Sequence, residues 1–414
     1  MKFTKQQWQW IFYDWANSGY GILVVTAVLP VYFKAVAHQA GVSAANSTAF
    51  WGYANSFGTL IVSLLAPLLG ALADYPNAKR RWLNVFTWPA IILTLGLALV
   101  ASQHWVWLLI LFILTIIGYS GGNLFYDSFL TDVATDHQMD LVSSTGYGMG
   151  YLGGVLAFIV FLAAQLTKGF GGLLNGYGIA KFSFVVAAVW WIIFGWPLLR
   201  HGYQRYSVPA VSNPLKDSFR RLAQTFRHIK RYRRITWFLI AYFFYIDGVD
   251  TIFTMATSIG KDMGVNTTML MLVLLVVQLI AFPFSLLYGW FARRTSNRVA
   301  LLTGIIVYLF ICLYALRLTS LFDFWFLAIL IGTSQGGIQA LSRSYFGQLV
   351  PKESSSEFFG FYNILGKFSA ILGPVIVGVV TQWTKRSTIG IASLAILFGL
   401  GLIIFLILPR LVDQ

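Results

Sequence analysis

The sequence alternates between long apolar runs and short polar connections along almost its whole length, and this alternation strongly limits the folds open to it. We predict twelve runs of about 20 residues, each long enough to cross the ~30 Å hydrocarbon core of a bilayer as a helix. They cover residues 11–34, 48–72, 82–102, 105–130, 144–166, 181–199, 236–258, 267–291, 299–318, 323–347, 358–381 and 388–409. Only 10% of the residues are charged, against roughly 25% in soluble domains. The chain is therefore expected to be an all-α polytopic membrane protein.

One hydrophilic segment, residues 200–234, divides the predicted spans into two sets of six. We therefore predict an N-terminal six-helix bundle over residues 1–199 and a C-terminal six-helix bundle over residues 235–414. Between the basic residues of the segment, apolar residues recur at near-helical spacing: Leu222, Phe226 and Ile229. This pattern indicates a basic cytoplasmic linker with an amphipathic helix on the inner leaflet; regulation by a protein partner is the alternative.

Lys and Arg residues are unevenly distributed between the two sides of the predicted bundle. If the N-terminus is cytoplasmic, 21 of the 29 Lys and Arg residues lie on the cytoplasmic side. The positive-inside rule then places both termini in the cytoplasm. The net charge of +15 follows from this topology and indicates contact with anionic lipids of the inner leaflet, whereas a nucleic-acid partner is not expected. We expect a monomeric, multi-pass protein of the cell (plasma) membrane.

Three short patterns recur in the same order in the two halves of the sequence. Gly70–Asp74 with Lys79–Arg81 recurs as Gly289–Arg294 with Arg298, Gly121 and Gly122 recur as Gly336 and Gly337, and Asp14 with Asn17 recurs as Asp247 with Asp250. Duplicated halves of this kind pack around a central pathway in many transporters. We therefore predict two pseudo-symmetric bundles around such a pathway.

At these residues the chain resembles the major facilitator superfamily (MFS), whose loop between helices 2 and 3 carries a glycine, an aspartate and arginines. Gly70, Asp74 and the basic cluster Lys79–Arg81 match this loop, with a spacing to the arginines that is one residue longer. A narrower resemblance, to the UMF1 or Atg22-like branch, is carried by Tyr13–Ser18, Asp247–Ile252, Gln335–Ser344 and Glu357–Gly360. Fungal members of that branch are associated with amino-acid efflux from the vacuole. The resemblance covers nearly the whole chain and implies the twelve-helix MFS fold.

The loop between the second and third predicted spans also has a physical interpretation. An aspartate at a helix end, an arginine in the adjoining turn and a second carboxylate on a neighbouring helix can hold the inner ends of a bundle together. Asp127, near the inner end of the fourth span, is the natural second acid for Arg80 or Arg81. The resemblance implies that this charge relay, which includes Asp74, stabilises an outward-facing state and breaks during transport. The alternative is that these charges only set the topology.

The corresponding loop of the second half lacks the aspartate, because Arg293 stands in its place. It cannot repeat the relay unaided. Glu357 or Glu353 is therefore the candidate acid for Arg293, Arg294 or Arg343.

Of the carboxylates inside predicted spans, Asp14, Asp247 and Asp250 weigh most, because a charge at membrane depth costs at least ~2.5 to 3.5 kcal/mol and is normally retained for function. Asp247 and Asp250 lie three residues apart on one helix face, about halfway along the seventh span. Such a pair suits a proton carrier and equally a Na+ site. Asp14 lies near the cytoplasmic end of the first span and is a third candidate. The alternative is a structural pair whose acids bond to the hydroxyls of Thr251 or Thr254.

Aromatic and amide residues surround these acids and could bind a polar cargo, although amides also join membrane helices to one another. The candidates are Tyr13, Trp15, Asn17, Tyr20, Asn55, Asn123, Tyr126, Tyr242, Tyr245, Gln278, Gln335 and Gln339. The sequence has no HExxH or CxxC motif, and its five His residues lie in or next to predicted loops. We therefore expect no enzyme activity, no metal site and no cofactor.

These observations predict a secondary active transporter that works by alternating access. Its cargo is expected to be a small polar solute such as an amino acid, moved by proton-coupled efflux or exchange. Two alternatives remain. A transporter of lipids or hydrophobic compounds would have an acid-poor groove open to the membrane. A non-transporting receptor or scaffold would need no acids at membrane depth.

Overall fold

The computed structural model describes residues 2–227, 229–262, 264–369 and 371–412. These residues form helices and turns, with no strand among them. Twelve segments are helical, long and apolar enough to cross a membrane, which confirms the predicted all-α fold. We number them spans 1 to 12 in chain order: Lys5–Gln39, Ala44–Ala73, Ala78–Leu99, Trp105–Val133, Asp136–Leu166, Gly176–His201, Arg233–Met255, Leu272–Arg294, Asn297–Arg317, Leu321–Leu349, Lys352–Thr384 and Ser387–Leu408.

Several spans contain more than one helix, and three helices extend beyond their span. Span 1 consists of Lys5–Tyr20, the π-helix Gly21–Ala27 and Leu29–Gln39. Span 4 consists of the helices Trp105–Ser128 and Leu130–Val133, and span 9 consists of the helix Asn297–Tyr314 and the 3-10 turn Ala315–Arg317. Span 11 consists of the 3-10 turn Lys352–Ser354 and the helices Ser355–Ser369 and Leu372–Thr384. Span 12 consists of the helices Ser387–Ala392 and Ala395–Val412. The helices of spans 7 and 8 are Arg233–Asp262 and Thr267–Arg294, and short helices outside the spans are Lys168–Gly172, Pro214–Arg227 and Ile229–Tyr232.

The first helix begins at Lys5, six residues before the predicted start of the apolar run. Thr4 and Gln7 form a capping box, in which each side chain bonds to the backbone of the other residue. Gln7 is buried, and its Nε2 donates to the carbonyl oxygen of Val133 at 3.1 Å. The polar first turn is therefore held against the end of span 4. The spacing of apolar residues cannot reveal a polar contact of this kind.

We call spans 1–6 the first half of the chain and spans 7–12 the second half. The halves meet where span 5 contacts spans 8 and 10 and where span 2 contacts span 11. Gly70 of span 2 and Gly289 of span 8 make two of these contacts. A Cβ atom on Gly70 would collide with the backbone of Ser356, and one on Gly289 would lie 2.7 Å from the Cβ of Ser144. The repeated glycines therefore allow the two halves to approach closely.

Six spans precede the linker and six follow it, so the N-terminus, the linker and the C-terminus lie on the same side. We call this side the linker face and the opposite side the far face. Within the described part of the chain, hydrogen bonds join the two halves from the linker face inward as far as the pair Tyr151–Gln339. The side-chain oxygens of this pair are 2.8 Å apart. A cavity between the halves is closed at the linker face, and its wall reaches Val25 and Thr26 in the far half of span 1.

The linker contains the helix Pro214–Arg227, which we call the linker helix. It packs against the end of span 2. Arg221 contacts both halves, through Asp74 and Glu357, and Thr225 contacts Glu357. The sequence predicted a helix resting on the leaflet, whereas the structure places this helix against the protein at the linker face. Of the apolar residues in the predicted pattern, Leu222 is half-buried, and the side chains of Phe226 and Ile229 lie outside the described residues.

Candidate functional site

A cavity of about 430 Å³ lies between the two halves at membrane depth. Its wall carries six tyrosines: Tyr119, Tyr126, Tyr147, Tyr151, Tyr242 and Tyr362. It also carries six amide side chains: Asn17, Asn123, Gln278, Gln335, Gln339 and Asn363. The charged residues in the wall are Asp14, Asp127, Asp250, Arg343 and Lys367. A wall that combines aromatic, amide and charged side chains suits a small polar molecule.

Arg343 of span 10 forms the linker-face end of this cavity and is almost completely buried. Its guanidinium donates to Asp127 Oδ1 at 3.0 Å and to Asp14 Oδ2 at 3.3 Å. It also donates to the hydroxyl of Ser143 at 3.0 Å and lies 4.2 Å from the ring centre of Tyr147. Arg343 belongs to the second half, whereas its two acids belong to spans 1 and 4. This ion triad therefore joins the two halves directly under the cavity.

The ion triad corrects two expectations for the charge relay. Asp127 contacts Arg343, not Arg80 or Arg81. Arg343 was expected among the residues served by Glu357 or Glu353, but it lies inside the protein next to Asp14 and Asp127. Sequence spacing could not show this, because the partners come from spans 1, 4 and 10.

Asp247 and Asp250 of span 7 occupy different environments although they share a helix face. Both oxygens of Asp247 accept the backbone N–H of Gly373 at 2.9 Å, and Oδ1 also accepts the hydroxyl of Thr251. Gly373 lies in the first turn of the helix Leu372–Thr384, so Asp247 satisfies a free donor at a helix start. Asp250 instead lines the cavity. Of the two acids only Asp250 therefore lines the cavity, whereas Asp247 holds a helix start; their expected role in ion coupling stays a prediction.

The end of span 2 and the start of span 11 meet in what we call the charged cluster, formed by Asp74, Arg221, Ser356 and Glu357. Asp74 accepts the backbone N–H groups of Ser356 and Glu357 at 2.8 and 3.1 Å. Arg221 of the linker helix donates to Asp74 at 3.2 Å and to Glu357 at 2.9 Å. Burial raises the pKa of Asp74 to about 6, although Lys79 and Arg221 oppose this shift. A cation from the linker therefore joins carboxylates of both halves.

The basic residues after span 2 differ from the prediction. Arg80 and Arg81 are exposed, and Arg80 donates only to the carbonyl oxygen of Arg200 among the described groups, at 3.0 Å. Lys79 is completely buried and pairs with Asp132 at 2.6 Å. The inward-facing cation of this loop is therefore Lys79.

Span 5 meets spans 9 and 10 in what we call the amide cluster, formed by Asp140, Asn297, Ser344 and Gln348. Oδ1 of Asp140 accepts hydrogen bonds from the Asn297 amide, from the Ser344 hydroxyl at 2.7 Å and from the Gln348 amide at 3.0 Å. The residues that were expected to form the charge relay of the second half lie elsewhere. Arg293 and Arg294 are exposed, with Arg294 over the ring of Trp290, and Glu357 bonds to Arg221.

The structure brings most of the predicted cargo residues to the cavity wall and leaves the others in the packing. Those in the wall are Asn17, Asn123, Tyr126, Tyr242, Gln278, Gln335 and Gln339. Tyr13 instead bonds to Thr87, Tyr245 bonds to Ser342, and Asn55, Trp15 and Tyr20 are not part of the wall. Sequence reasoning missed Tyr119, Tyr147, Tyr151, Tyr362, Asn363 and Lys367. Asn363 and Lys367 carried a usable signal, as an amide and a cation inside an apolar run.

Comparisons with known proteins agree with this architecture. A family model described as "Vacuole effluxer Atg22 like" matches residues 3–411. An MFS-type transporter of Bacillus subtilis (strain 168), YxiO, itself uncharacterized, is 45% identical over 410 residues, which cover 99% of this chain and 96% of that protein. Autophagy-related protein 22-1 of Aspergillus niger is 27% identical over 289 residues, or 64% of this chain; the match spans about half (46%) of the fungal protein.

Solved structures share the fold at low sequence identity. The human organic anion transporter MFSD10 (TETRAN) superposes with a TM-score of 0.70 at 13% identity, covering 98% of this chain and all of that one. The MFS proton:xylose symporter XylE superposes with a TM-score of 0.67 at 10% identity, covering 96% and 93%. The matched family, the bacterial relative and the fold agree: the chain belongs to the Atg22-like effluxer family and is an MFS-type membrane transporter, not an enzyme.

Proposed function

We propose that this protein exports small polar solutes, amino acids or similar metabolites, by alternating access coupled to protons. The observation that carries this proposal is the ion triad of Asp14, Arg343 and Asp127 beneath a cavity with acidic, basic and amide groups. The family description as vacuole effluxers supports export as the direction.

The cavity chemistry supports a polar cargo. The carboxamide oxygen of Gln335 is buried in the wall and accepts no hydrogen bond from any described residue. An unsatisfied buried acceptor costs about 1 to 3 kcal/mol, so a donor on the cargo would be favoured there. The acids Asp14 and Asp250 provide sites for an amine. A hydrophobic cargo would leave the Gln335 oxygen without a hydrogen-bond donor and the Asp250 carboxylate facing an apolar molecule, which disfavours the lipid-carrier alternative.

The ion triad supports coupling. When the linker face opens, Arg343 must separate from Asp14 and Asp127, because the cation and its acids belong to different halves. Separating a buried ion pair is costly, and a proton on either acid lowers that cost. Proton binding at the triad would therefore favour the transition to the state that is open at the linker face. Asp247 has no part in this step, since it holds the start of the helix Leu372–Thr384.

Proteoliposomes loaded with single amino acids test this function. We expect counterflow of at least one amino acid, and accumulation driven by a proton gradient that persists when Na+ is replaced by K+. Asp14→Asn and Asp127→Asn should lose accumulation but retain exchange. Glu353→Gln, which removes an exposed carboxylate, is the matched control. Full accumulation by both triad variants would show that the coupling site lies elsewhere, and the absence of any amino-acid flux would exclude this cargo class.

We further propose that both termini are cytoplasmic and that the protein lies in the cell membrane, since 21 of 29 Lys and Arg residues then face the cytoplasm. On this basis the described state is closed to the cytoplasm. Reporter fusions after Pro209 should be cytoplasmic, and a fusion after Gly41 should be external. A cytoplasmic Gly41 would reverse this orientation.

A further inference from the structure

Lys367 is a cation at membrane depth to which neither the fold nor the ion triad assigns a role. It lies in the last turn of the helix Ser355–Ser369, about 18 Å from the helix start at a rise of 1.5 Å per residue. Its side chain is exposed to the cavity. A lysine at this depth is costly and is usually retained for contact with a ligand, an ion or a partner charge.

The two cations of the cavity differ in their partners. Arg343 already bonds to Asp14, Asp127 and Ser143. Lys367 has no carboxylate within ion-pair distance in the described part of the chain, although Asp250 lies in the same cavity wall. Of the two, Lys367 is therefore the cation that can accept an anionic group of a cargo.

The gap between Lys367 and Asp250 defines the charge pattern of that cargo. Both side chains belong to the second half and line one cavity. No ion-pair contact joins them, although Lys367 lies near enough for its charge to act on Asp250. A molecule that carries both a carboxylate and an ammonium group could bridge them. Tyr242 and Tyr362 of the same half provide aromatic surface beside this gap.

We propose that Lys367 binds the carboxylate of a zwitterionic cargo, with Asp250 facing its ammonium group. This inference rests on the proposed transport function, which it makes more specific. Lys367 contributes a charge-assisted hydrogen bond, and its loss should weaken binding of carboxylate-bearing molecules about tenfold or more. Molecules that lack the carboxylate should bind equally well to the wild type and to Lys367 variants.

Chemical protection of Lys367 tests the site without depending on transport. The full-length protein is acetylated with an N-hydroxysuccinimide ester, and modification of Lys367 is quantified by mass spectrometry. The probes are L-leucine, L-tyrosine and L-glutamine, each with its decarboxylated amine and its deaminated acid. We expect protection by at least one amino acid and by its deaminated acid, but not by its amine. No modification without ligand, no protection by any carboxylate, or equal protection by the amine would each overturn the proposal.

Transport kinetics then separate binding from helix stability. Lys367→Gln should raise KM for the amino acid about tenfold or more with little change in kcat, and Lys367→Arg should restore much of the affinity. Arg386→Gln, which removes an exposed cation outside the cavity, is the control and should match the wild type. If Lys367 only stabilises the carbonyl groups at the end of its helix, Lys367→Gln will lower Tm and leave KM unchanged, and the proposal fails.

The two experiments also separate this proposal from the proposed function. Carboxylate protection without any amino-acid flux would support the Lys367 site and reject amino-acid export. Amino-acid flux without carboxylate protection would do the reverse.

Discussion

Asp74 in the charged cluster and Asp140 in the amide cluster both lie at the linker face, each near one of the repeated glycines, but they are satisfied in different ways. Both oxygens of Asp74 accept backbone N–H groups, and Arg221 supplies a positive charge. Asp140 receives neutral donors, all at its Oδ1 atom. The first contact therefore depends on the linker helix, whereas the second uses only residues of the spans.

This difference shows how a duplicated sequence can retain a contact after its charges have changed. Gly70 and Gly289 keep the close approach of the halves at the two contacts. In the second half Arg293 replaces the aspartate and turns outward, and the acid comes from Asp140 on the opposite half. We expect the two clusters to respond differently to loss of charge, and the following predictions test that difference.

Arg221→Gln should have the largest effect, because it leaves Asp74 and Glu357 buried without their shared cation. Breaking a buried ion pair typically costs about 3–5 kcal/mol, and Arg221 is only 15% exposed. We expect transport to fall about tenfold or more and the linker face to open more often. The opening can be followed by labelling a Ser356→Cys reporter in a Cys312→Ala background.

Arg220→Gln is the matched control for Arg221→Gln, since its side chain is 71% exposed and pairs only with Asp217 among described acids. Its transport and its reporter labelling should equal those of the wild type. If Arg221→Gln also equals the wild type, the linker helix does not hold the charged cluster together.

Asp74→Asn and Asp140→Asn should lower stability by different amounts, and both losses should be smaller than the loss caused by Arg221→Gln. An asparagine at position 74 would offer an NH2 group to one backbone N–H and lose the charge facing Arg221, which we expect to cost about 2–3 kcal/mol. At position 140 the amide oxygen can accept the same three donors, so we expect about 1 kcal/mol or less. Tm in detergent and transport rate measure both. Equal losses would remove the distinction between the two clusters.

The sequence predicted the twelve spans because the membrane requires long apolar helices, and that requirement is local in the chain. Seven of the predicted cargo residues lie in the cavity wall, together with the candidate acids Asp14 and Asp250, because polar side chains in apolar runs usually face the interior. The partners of those residues were less predictable. Arg221 reaches Asp74 from 147 positions away, and Arg343 reaches Asp14 from 329 positions away. Such contacts depend on how the spans pack against one another. Residue spacing along the sequence does not predict that packing.

The pH of the linker-face compartment should have a modest effect through Asp74. Burial in the closed state raises its pKa to about 6, and water entering the open state should return the pKa towards the ordinary value of ~3.9. The closed state then binds the proton at Asp74 more tightly, so in a background whose triad acids are neutralised (Asp14→Asn, Asp127→Asn) acidification from pH 7.5 to 5 should favour closure. Labelling of the Ser356→Cys reporter, normalised at each pH to that of the same reporter in unfolded protein because the thiolate is the reactive form, should decrease at low pH, and less so with Asp74→Asn. Increased labelling at low pH would contradict the raised pKa.

Neutralising Arg80 and Arg81 together should have the smallest effect, although their position after Asp74 first indicated a role in the relay. The helix Ala78–Leu99 turns about 100° per residue, so Lys79 faces the interior and the next two side chains turn away. Both arginines are exposed, and exposed charges contribute ~0 to 1 kcal/mol. We expect the double variant Arg80→Gln, Arg81→Gln to transport at the wild-type rate. At most, a smaller fraction of the protein should insert into the membrane with the correct topology. Lys79→Gln, which leaves Asp132 buried without its cation, provides the contrast and should reduce both expression and transport. A severe loss in the double variant and none in Lys79→Gln would return the relay to the arginines.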